Sequence, residues 1–273
     1  MSVVLRCPVR GCLRALRQEG ARWSCARQHS FDQHRSGYLN LLQPQHSRSR
    51  EPGDSKETAR ARRRLADAGQ ADAVHQAFLH VILGRSPIAG RTLLDVGCGE
   101  GAFLRALLDV PLERHGLDIS APSVELAVKA SPSCLFVVAN ADRSLPYADA
   151  SFDLITSIDA RTNADEFHRV LMPDGLALIA APGPRDLIEL RSHVQGKQIE
   201  KSRREHVDEE MGKHFSLLEH TTIMDRREFE PAALRDLLVA TYRGFRQSEQ
   251  SAVAVLTAMT VTLSHEIFAF QRR

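Results

Sequence analysis

Nine consecutive residues, Leu93-Leu94-Asp95-Val96-Gly97-Cys98-Gly99-Glu100-Gly101, constrain this chain more than any other feature. Thr92 to Val96 is a short apolar run of the kind that makes a strand, and Ala102 to Leu108 carries apolar residues at helical spacing. Between them stand three glycines at alternate positions, where a ligand can approach the backbone closely. Amides at the start of the following helix would face that ligand. The pattern predicts a strand, a turn and a helix with a binding edge, and nucleotide folds of several kinds use it.

The alternation continues downstream. Arg114 to Ile119 reads as a second strand ending in Asp118, 23 residues after Asp95, where a carboxylate can accept hydrogen bonds from ribose hydroxyls. Leu135 to Ala139 makes a third strand leading into Asn140-Ala141-Asp142, Ser151 to Ile155 a fourth and Leu176 to Ala181 a fifth. Leu217 to Ile223 and Thr260 to Phe270 suit a closing strand pair, and Ala232 to Ala240 and Ser251 to Thr257 read as helices. The charged run from Gln195 to Glu210 is expected to be an insertion or an exposed helix.

The succession LLDVGCGEG, GLDIS and NADRSLPYADASFDLI, within residues 90 to 182, resembles the class I S-adenosylmethionine-dependent methyltransferases. That resemblance implies an α/β fold with a doubly wound, mostly parallel seven-stranded sheet, one strand of it antiparallel. It also implies S-adenosylmethionine as cofactor: Asp95, Gly97, Gly99, Glu100 and Gly101 line its methionine moiety, Asp118 holds its ribose and Asp142 approaches its adenine. Each residue has a plainer reading when taken singly, the glycines as tight packing and either Asp as a cap or turn residue.

The first 64 residues differ in chemistry from the rest. They hold 14 Lys and Arg against 5 Asp and Glu, whereas residues 65 to 273 hold 22 against 29. A basic module beside an acidic body suits a polyanion partner, because cations that neutralise phosphates release counterions. The alternative is a solvated, charge-rich surface. Within this segment Cys7 and Cys12 form a C-x4-C pair, and Cys25 and His29 a C-x3-H pair. Four such ligands can close tetrahedrally around zinc with no position left for substrate, so the site is expected to be structural. A segment this short buries little apolar surface, and the metal would supply most of its folding free energy. Gly37-Tyr38-Leu39-Asn40-Leu41-Leu42 suits a turn entering a strand that packs on the zinc module, and His46 to Ser55 reads as a linker. Asp54 or Ser55 then caps a helix that carries Arg60, Arg62, Arg63 and Arg64 toward Gly69. Those arginines either contact phosphates or solvate the helix.

A narrower resemblance covers almost the whole chain. CPVRGC, WSCARQHSFD, GYLNLL, RSREPGDS, ARRRLADAG and the stretch Pro182 to Leu190 are similar to the large-subunit rRNA guanine-N1 methyltransferases. This implies a zinc-binding module over residues 1–45, a basic linker with helices over 46–84 and a methyltransferase domain over 85–273. It further implies a homodimer acting on a guanine in an rRNA hairpin. The chain departs from that family pattern in the spacing of Cys7 and Cys12, at Ala71 where an aromatic is usual, and at Arg161 where a proline is usual. It departs again at Asp186, where a histidine is usual, and at Ala240-Thr241-Tyr242.

Guanine N1 carries a proton at neutral pH, so methyl transfer there needs that proton removed or an enolate-like form stabilised. Asp159, predicted at the carboxyl end of strand four, is the candidate catalytic base, and capping of the next helix is its alternative role. Two other functions keep the cofactor motifs: a small-molecule methyltransferase, and a cofactor- and RNA-binding protein without catalysis. No apolar run approaches the roughly 18 residues of a membrane span, and the N-terminus shows no secretory pattern, so a cytoplasmic location is expected.

Overall fold

The computed structural model describes residues 3–47, 52–84, 87–196, 200, 202–241 and 256–273. Its first element is a three-stranded antiparallel ribbon of β1 (Leu16–Glu19), β2 (Arg22–Cys25) and β3 (Ser30–Asp32). Leu16 pairs with Cys25 and Glu19 with Arg22, leaving Gly20, at φ 63°, and Ala21 to make the turn. The ribbon does not stand alone. Arg6 N donates to Pro146 O at 2.9 Å, Ala148 N to Val4 O at 2.9 Å, and Leu5, Cys7 and Leu16 share an apolar cluster with Leu145 and Tyr147.

The chain then enters β4 (Leu39–Asn40) and crosses to α1 (Lys56–Asp67) and α2 (Asp72–Leu83). Ser55 is the cap of α1, its Oγ accepting from Thr58 N at 3.1 Å. The linker residues 48 to 51, half of the RSREPGDS signature, lie outside the described residues. Beyond α2 the expected alternation runs through β5 (Thr92–Val96), α3 (Ala102–Ala106), β6 (Glu113–Asp118), α4 (Ala121–Ala130) and β7 (Leu135–Val138). It continues with β8 (Phe152–Ile158), α5 (Ala164–Val170), β9 (Leu171–Pro182), α6 (Ile188–Gln195) and α7 (Arg204–Met211). A long strand β10 (Phe215–Phe229), α8 (Pro231–Thr241) and β11 (Met259–Arg272) close the fold.

The sheet order is β10-β11-β9-β8-β5-β6-β7-β4, parallel except for β11, which runs antiparallel to both neighbours. The seven strands implied by the sequence are joined by an eighth. Leu39 and Asn40 pair in parallel with Val137 and Val138, so the strand expected to pack on the zinc module extends the main sheet and meets the ribbon through one bridge, Gln33 to Leu39. Apolar layers cover both faces, which is the doubly wound arrangement. Phe167, Val207 and Met211 cover Ile155, Ala177 and Phe268 on one side, while Val74, Phe78, Phe103 and Val124 cover Leu93, Leu154 and Leu178 on the other. The charged run near residue 204 forms α7 because Val207 and Met211 give it one buried stripe. The helix expected over 251–257 is absent at Leu256 and Thr257, which have no regular structure, and residues 251–255 lie outside the described residues.

Candidate functional site

The carboxyl ends of β5, β6 and β8 meet at the glycine turn. Gly97, Gly99 and Gly101 have φ of 76°, 53° and 80°, all in the left-handed region that glycine tolerates. Two of them also lack room for a side chain: a Cβ at Gly97 would lie 2.3 Å from Ala160 Cβ, and one at Gly101 2.9 Å from Ala127 Cβ. At Gly99 a Cβ would meet nothing within 4 Å. The turn is therefore packed at its two ends and open in its middle, as a cradle for a ligand requires.

Three carboxylates surround that opening. Asp118 accepts Gly99 N at 3.0 Å on Oδ2 and Ser120 N at 2.7 Å on Oδ1, which fixes its plane and leaves each oxygen a further lone pair. Asp95 is buried and accepts Thr156 Oγ1 at 2.8 Å; burial, helped by the charges of Asp118 and Glu100 and opposed by Thr156, pushes its pKa up to about 7. Burial likewise raises Asp118 and Glu100. Crowded acids whose ionisation is held back gain from a cationic ligand, and S-adenosylmethionine carries both a sulfonium and an ammonium. The residues present fit that cofactor.

Asp142 stands apart from these three. It is exposed, its N–H is held by Asn140 Oδ1 at 3.0 Å, and its carboxylate lies 3.7 Å from Arg161 Nε. The arginine that replaces the family's usual proline thus reaches the residue expected near adenine.

The linker contributes what sequence reasoning did not find. Gly53, at φ 83°, packs its backbone on the turn after Asp118, so that a Cβ there would sit 2.7 Å from Ser120 Cβ and 2.8 Å from Ser120 N. Ser120 Oγ donates to Asp54 O at 2.7 Å, and Asn140 Nδ2 donates to His46 O at 2.8 Å. From α1, Arg62 Nε lies 2.8 Å from Asp54 Oδ2, and its NH2 group donates to Ala240 O. Its neighbours Arg63 and Arg64 pair with Asp67 and Asp236. Three of the four α1 arginines are thus tied into the fold. The Pro-Gly-Asp-Ser turn was the one local signal of this contact.

Asp159 lies at the end of β8 beside Ala160, against the glycine turn. It is not a helix cap, because Asn163 Oδ1 takes Glu166 N at the start of α5. Its Oδ2 is 3.1 Å from His265 Nε2, on β11. Packing disfavours its charge, but His265, with Arg62 and Arg203, outweighs that and holds the carboxyl below its ordinary range. His265 in turn is pushed up to about 8, the charges of Asp159 and Asp186 and the Asp159 hydrogen bond outweighing its burial. Asp186 accepts Ser264 N at 3.0 Å and is raised to about 6 by burial.

The four expected metal ligands converge in the ribbon. Cys7, Cys12, Cys25 and His29 bring their donor atoms within 4.8 Å of one another. Cys12 Sγ lies 3.7 Å from Cys25 Sγ, close to the ~3.8 Å separation of two thiolates each about 2.3 Å from a tetrahedral zinc. His29 Nδ1 is 3.4 Å from Cys7 Sγ and 3.5 Å from Cys25 Sγ. Within the wide first pair Gly11 has a φ of 73°, a left-handed angle that glycine tolerates. The donor set suits a closed structural zinc. Arg10, Arg14, Arg17, Arg22, Arg27 and Arg35 are exposed on or beside this ribbon.

Comparison with known proteins agrees with this geometry. Residues 5–50 match the family model of the RlmA N-terminal zinc ribbon, and residues 94–179 match a methyltransferase domain model. The chain is 30% identical to the 23S rRNA (guanine(748)-N(1))-methyltransferase of Streptomyces fradiae, over 77% of this chain and 75% of that one. It is 33% identical to a Micromonospora griseorubida protein provisionally named a 23S rRNA (guanine-N1)-methyltransferase, over 77% and 76%. Among solved structures, the YcgJ protein of Bacillus subtilis superposes with a TM-score of 0.53 at 17% identity, over 73% of this chain and 99% of that one. The [4+2]-cyclase SpnF does so at 0.50 and 20%, over 74% and 81%. Such structures share the fold alone, and a cyclase among them shows that the fold does not fix the chemistry.

Proposed function

The chain belongs to the family of 23S rRNA (guanine-N1)-methyltransferases, and we propose that it transfers a methyl group to N1 of a guanine in a large-subunit rRNA hairpin. The observation that carries this reading is the joining, in one chain, of a cofactor-binding glycine turn to a four-ligand ribbon that exposes six arginines. A small-molecule methyltransferase has no need of the second part. In this reading residues 1–45 form the zinc module, 46–84 the linker with its helices and 85–273 the catalytic domain, working as a homodimer in the cytoplasm. Among the described residues no helix is long and apolar enough to cross a membrane.

When bound, S-adenosylmethionine supplies an electrophilic methyl group. Gly97 to Gly101 and Asp95 receive its methionine moiety, Asp118 accepts its ribose hydroxyls and Asp142 stands toward its adenine. Asp159, beside that turn, accepts the N1 proton of the guanine. Zinc holds the ribbon in shape and takes no part in the chemistry. The exposed arginines of the ribbon meet phosphates and orient the hairpin.

The test is transfer of labelled methyl to unmodified large-subunit rRNA, followed by mapping of the product. A single N1-methylguanine is expected. Transfer to small molecules with salt-insensitive, weak rRNA binding supports the small-molecule alternative, and cofactor binding without transfer supports the non-catalytic one.

A further inference from the structure

His265 has no role in the steps above, yet it is the residue most closely joined to Asp159. Its side chain is 10% exposed, and β11 carries it to the carboxyl edge of the sheet, where the register sets it opposite Pro182. Asp159 meets it with a left-handed φ of 53°, a conformation uncommon outside glycine that Asp tolerates better than most residues. Its surroundings hold it there: Asp159 N donates to Ala180 O at 3.0 Å, and Ala160 is wedged against Gly97. Among the described residues, the hydrogen bond of the Asp159 side chain goes to His265, through Oδ2. The side chain is 36% exposed, so Oδ1 is left for a ligand.

We propose that His265 is a positioning residue of the methyl-transfer centre, holding the Asp159 carboxylate ionised and aimed so that Oδ1 can take the proton from guanine N1. The proposal rests on the guanine-N1 reading. In the step, the N1–H bond breaks and its electron pair forms the new N1–carbon bond. The bond from the methyl to the sulfonium breaks toward sulfur, which becomes a neutral thioether. The proton passes to Asp159 and then to solvent.

The charges around the pair are consistent with this role. Asp159 is faced by His265 from β11, by Arg62 from α1 and by Arg203 at the start of α7. His265 is faced by Asp159 and, from the segment after β9, by Asp186. Asp186 also interacts with Arg191 and titrates near 6, so Asp159 is the steadier anion of the two. The imidazole is therefore mostly cationic at neutral pH, and it is more basic because Asp159 is beside it.

The test compares wild type with His265→Gln, which can still donate a hydrogen bond but carries no charge. Single-turnover methylation of an rRNA hairpin is followed at saturating S-adenosylmethionine, so that Asp95 does not set the limb, from about pH 3.5 to about pH 9, with S-adenosylhomocysteine affinity and the melting temperature measured in parallel. In His265→Gln the acid limb is expected to move up by about one to three pH units, with activity recovering at high pH and cofactor affinity within about twofold. An acid limb that stays in place, whether the rate is unchanged or lowered equally at every pH, would overturn the proposal. If the variant does not fold, the imidazole titration in folded wild type and Asp159→Asn, read by NMR, decides. Loss of the partner's charge should lower the His265 midpoint from about 8 to below 6.5, and an unmoved midpoint refutes the coupling. A wild type that transfers no methyl to N1 counts against the functional reading instead, and the NMR titration still tests the pair.

Discussion

Replacing Gly53 by alanine should loosen the linker from the cofactor site. At Gly53 the backbone has φ 83°, and a Cβ would lie 2.7 Å from Ser120 Cβ, 2.8 Å from its N and 2.9 Å from its Cα. These are mainly backbone atoms at the cap of α4, which cannot swing aside as a flexible side chain would. The left-handed angle costs alanine about 1–2 kcal/mol, and forcing the overlap costs about 1–3 kcal/mol more. Lifting the linker away avoids the overlap but gives up the bond from Ser120 Oγ to Asp54 O, about 0.5–1.5 kcal/mol. The cheaper route is to lift, for a total of about 1.5–3.5 kcal/mol. Melting should fall by about 3–14 °C, at about 2–4 °C per kcal/mol for a chain of this size. Because Ser120 N also holds Asp118, S-adenosylhomocysteine affinity by calorimetry should weaken about tenfold, equivalent to ~1.4 kcal/mol. Gly99→Ala gives the contrast: its φ of 53° costs alanine the same ~1–2 kcal/mol, but its Cβ meets nothing within 4 Å, so no overlap adds to that and the further effect should fall on cofactor affinity. A Gly53→Ala protein with both quantities unchanged would refute the reasoning, and lowered melting with full affinity would refute the coupling to Asp118.

Three further outcomes follow from the geometry. Stripping zinc with a chelator, or changing Cys12 to serine, should unfold the ribbon and abolish tight rRNA binding while cofactor binding persists, as circular dichroism and calorimetry would register; an intact ribbon without metal refutes the zinc assignment. Asp95, with its pKa raised to about 7, is neutral below that pH and anionic above it, so S-adenosylmethionine should bind more tightly as pH rises through 7, and S-adenosylhomocysteine, which lacks the sulfonium charge, should respond less. The same shift acts oppositely on folding: the unfolded carboxyl ionises near 3.8, so stability is lost as pH rises from there toward 7 and is level above it. Changing Arg14, Arg17 and Arg22 together to glutamine should make the slope of log binding constant against log salt shallower by about 2–3 if each meets a phosphate; an unchanged slope would place the RNA elsewhere.

What could be read along the chain was what short-range chemistry determines. Thr92 to Gly101 had to be a strand entering a glycine turn, since those angles and that close packing exclude side chains. The ligands Cys7, Cys12, Cys25 and His29 could be named because metal geometry limits their spacing. The pattern placed the strands of the main sheet and the helices α1, α3 and α8, but not α2, α4, α5, α6 or the ribbon strands, and the ends moved by several residues: β9 begins at Leu171 rather than Leu176, and β10 runs on to Phe229 rather than ending at Ile223. Tertiary structure decided whatever depended on partners far away in sequence. Leu39 and Asn40 have no local reason to prefer β7 over the ribbon, and only the unpaired edge of the assembled sheet gave them one. Arg62 and Arg64 read equally well as phosphate contacts until Ala240 O and Asp236 came within reach. His265 stands 106 residues from Asp159, and nothing in either neighbourhood marks the pair. Their meeting is set by the antiparallel return of β11 between β9 and β10, because strand register alone brings those two side chains to one edge.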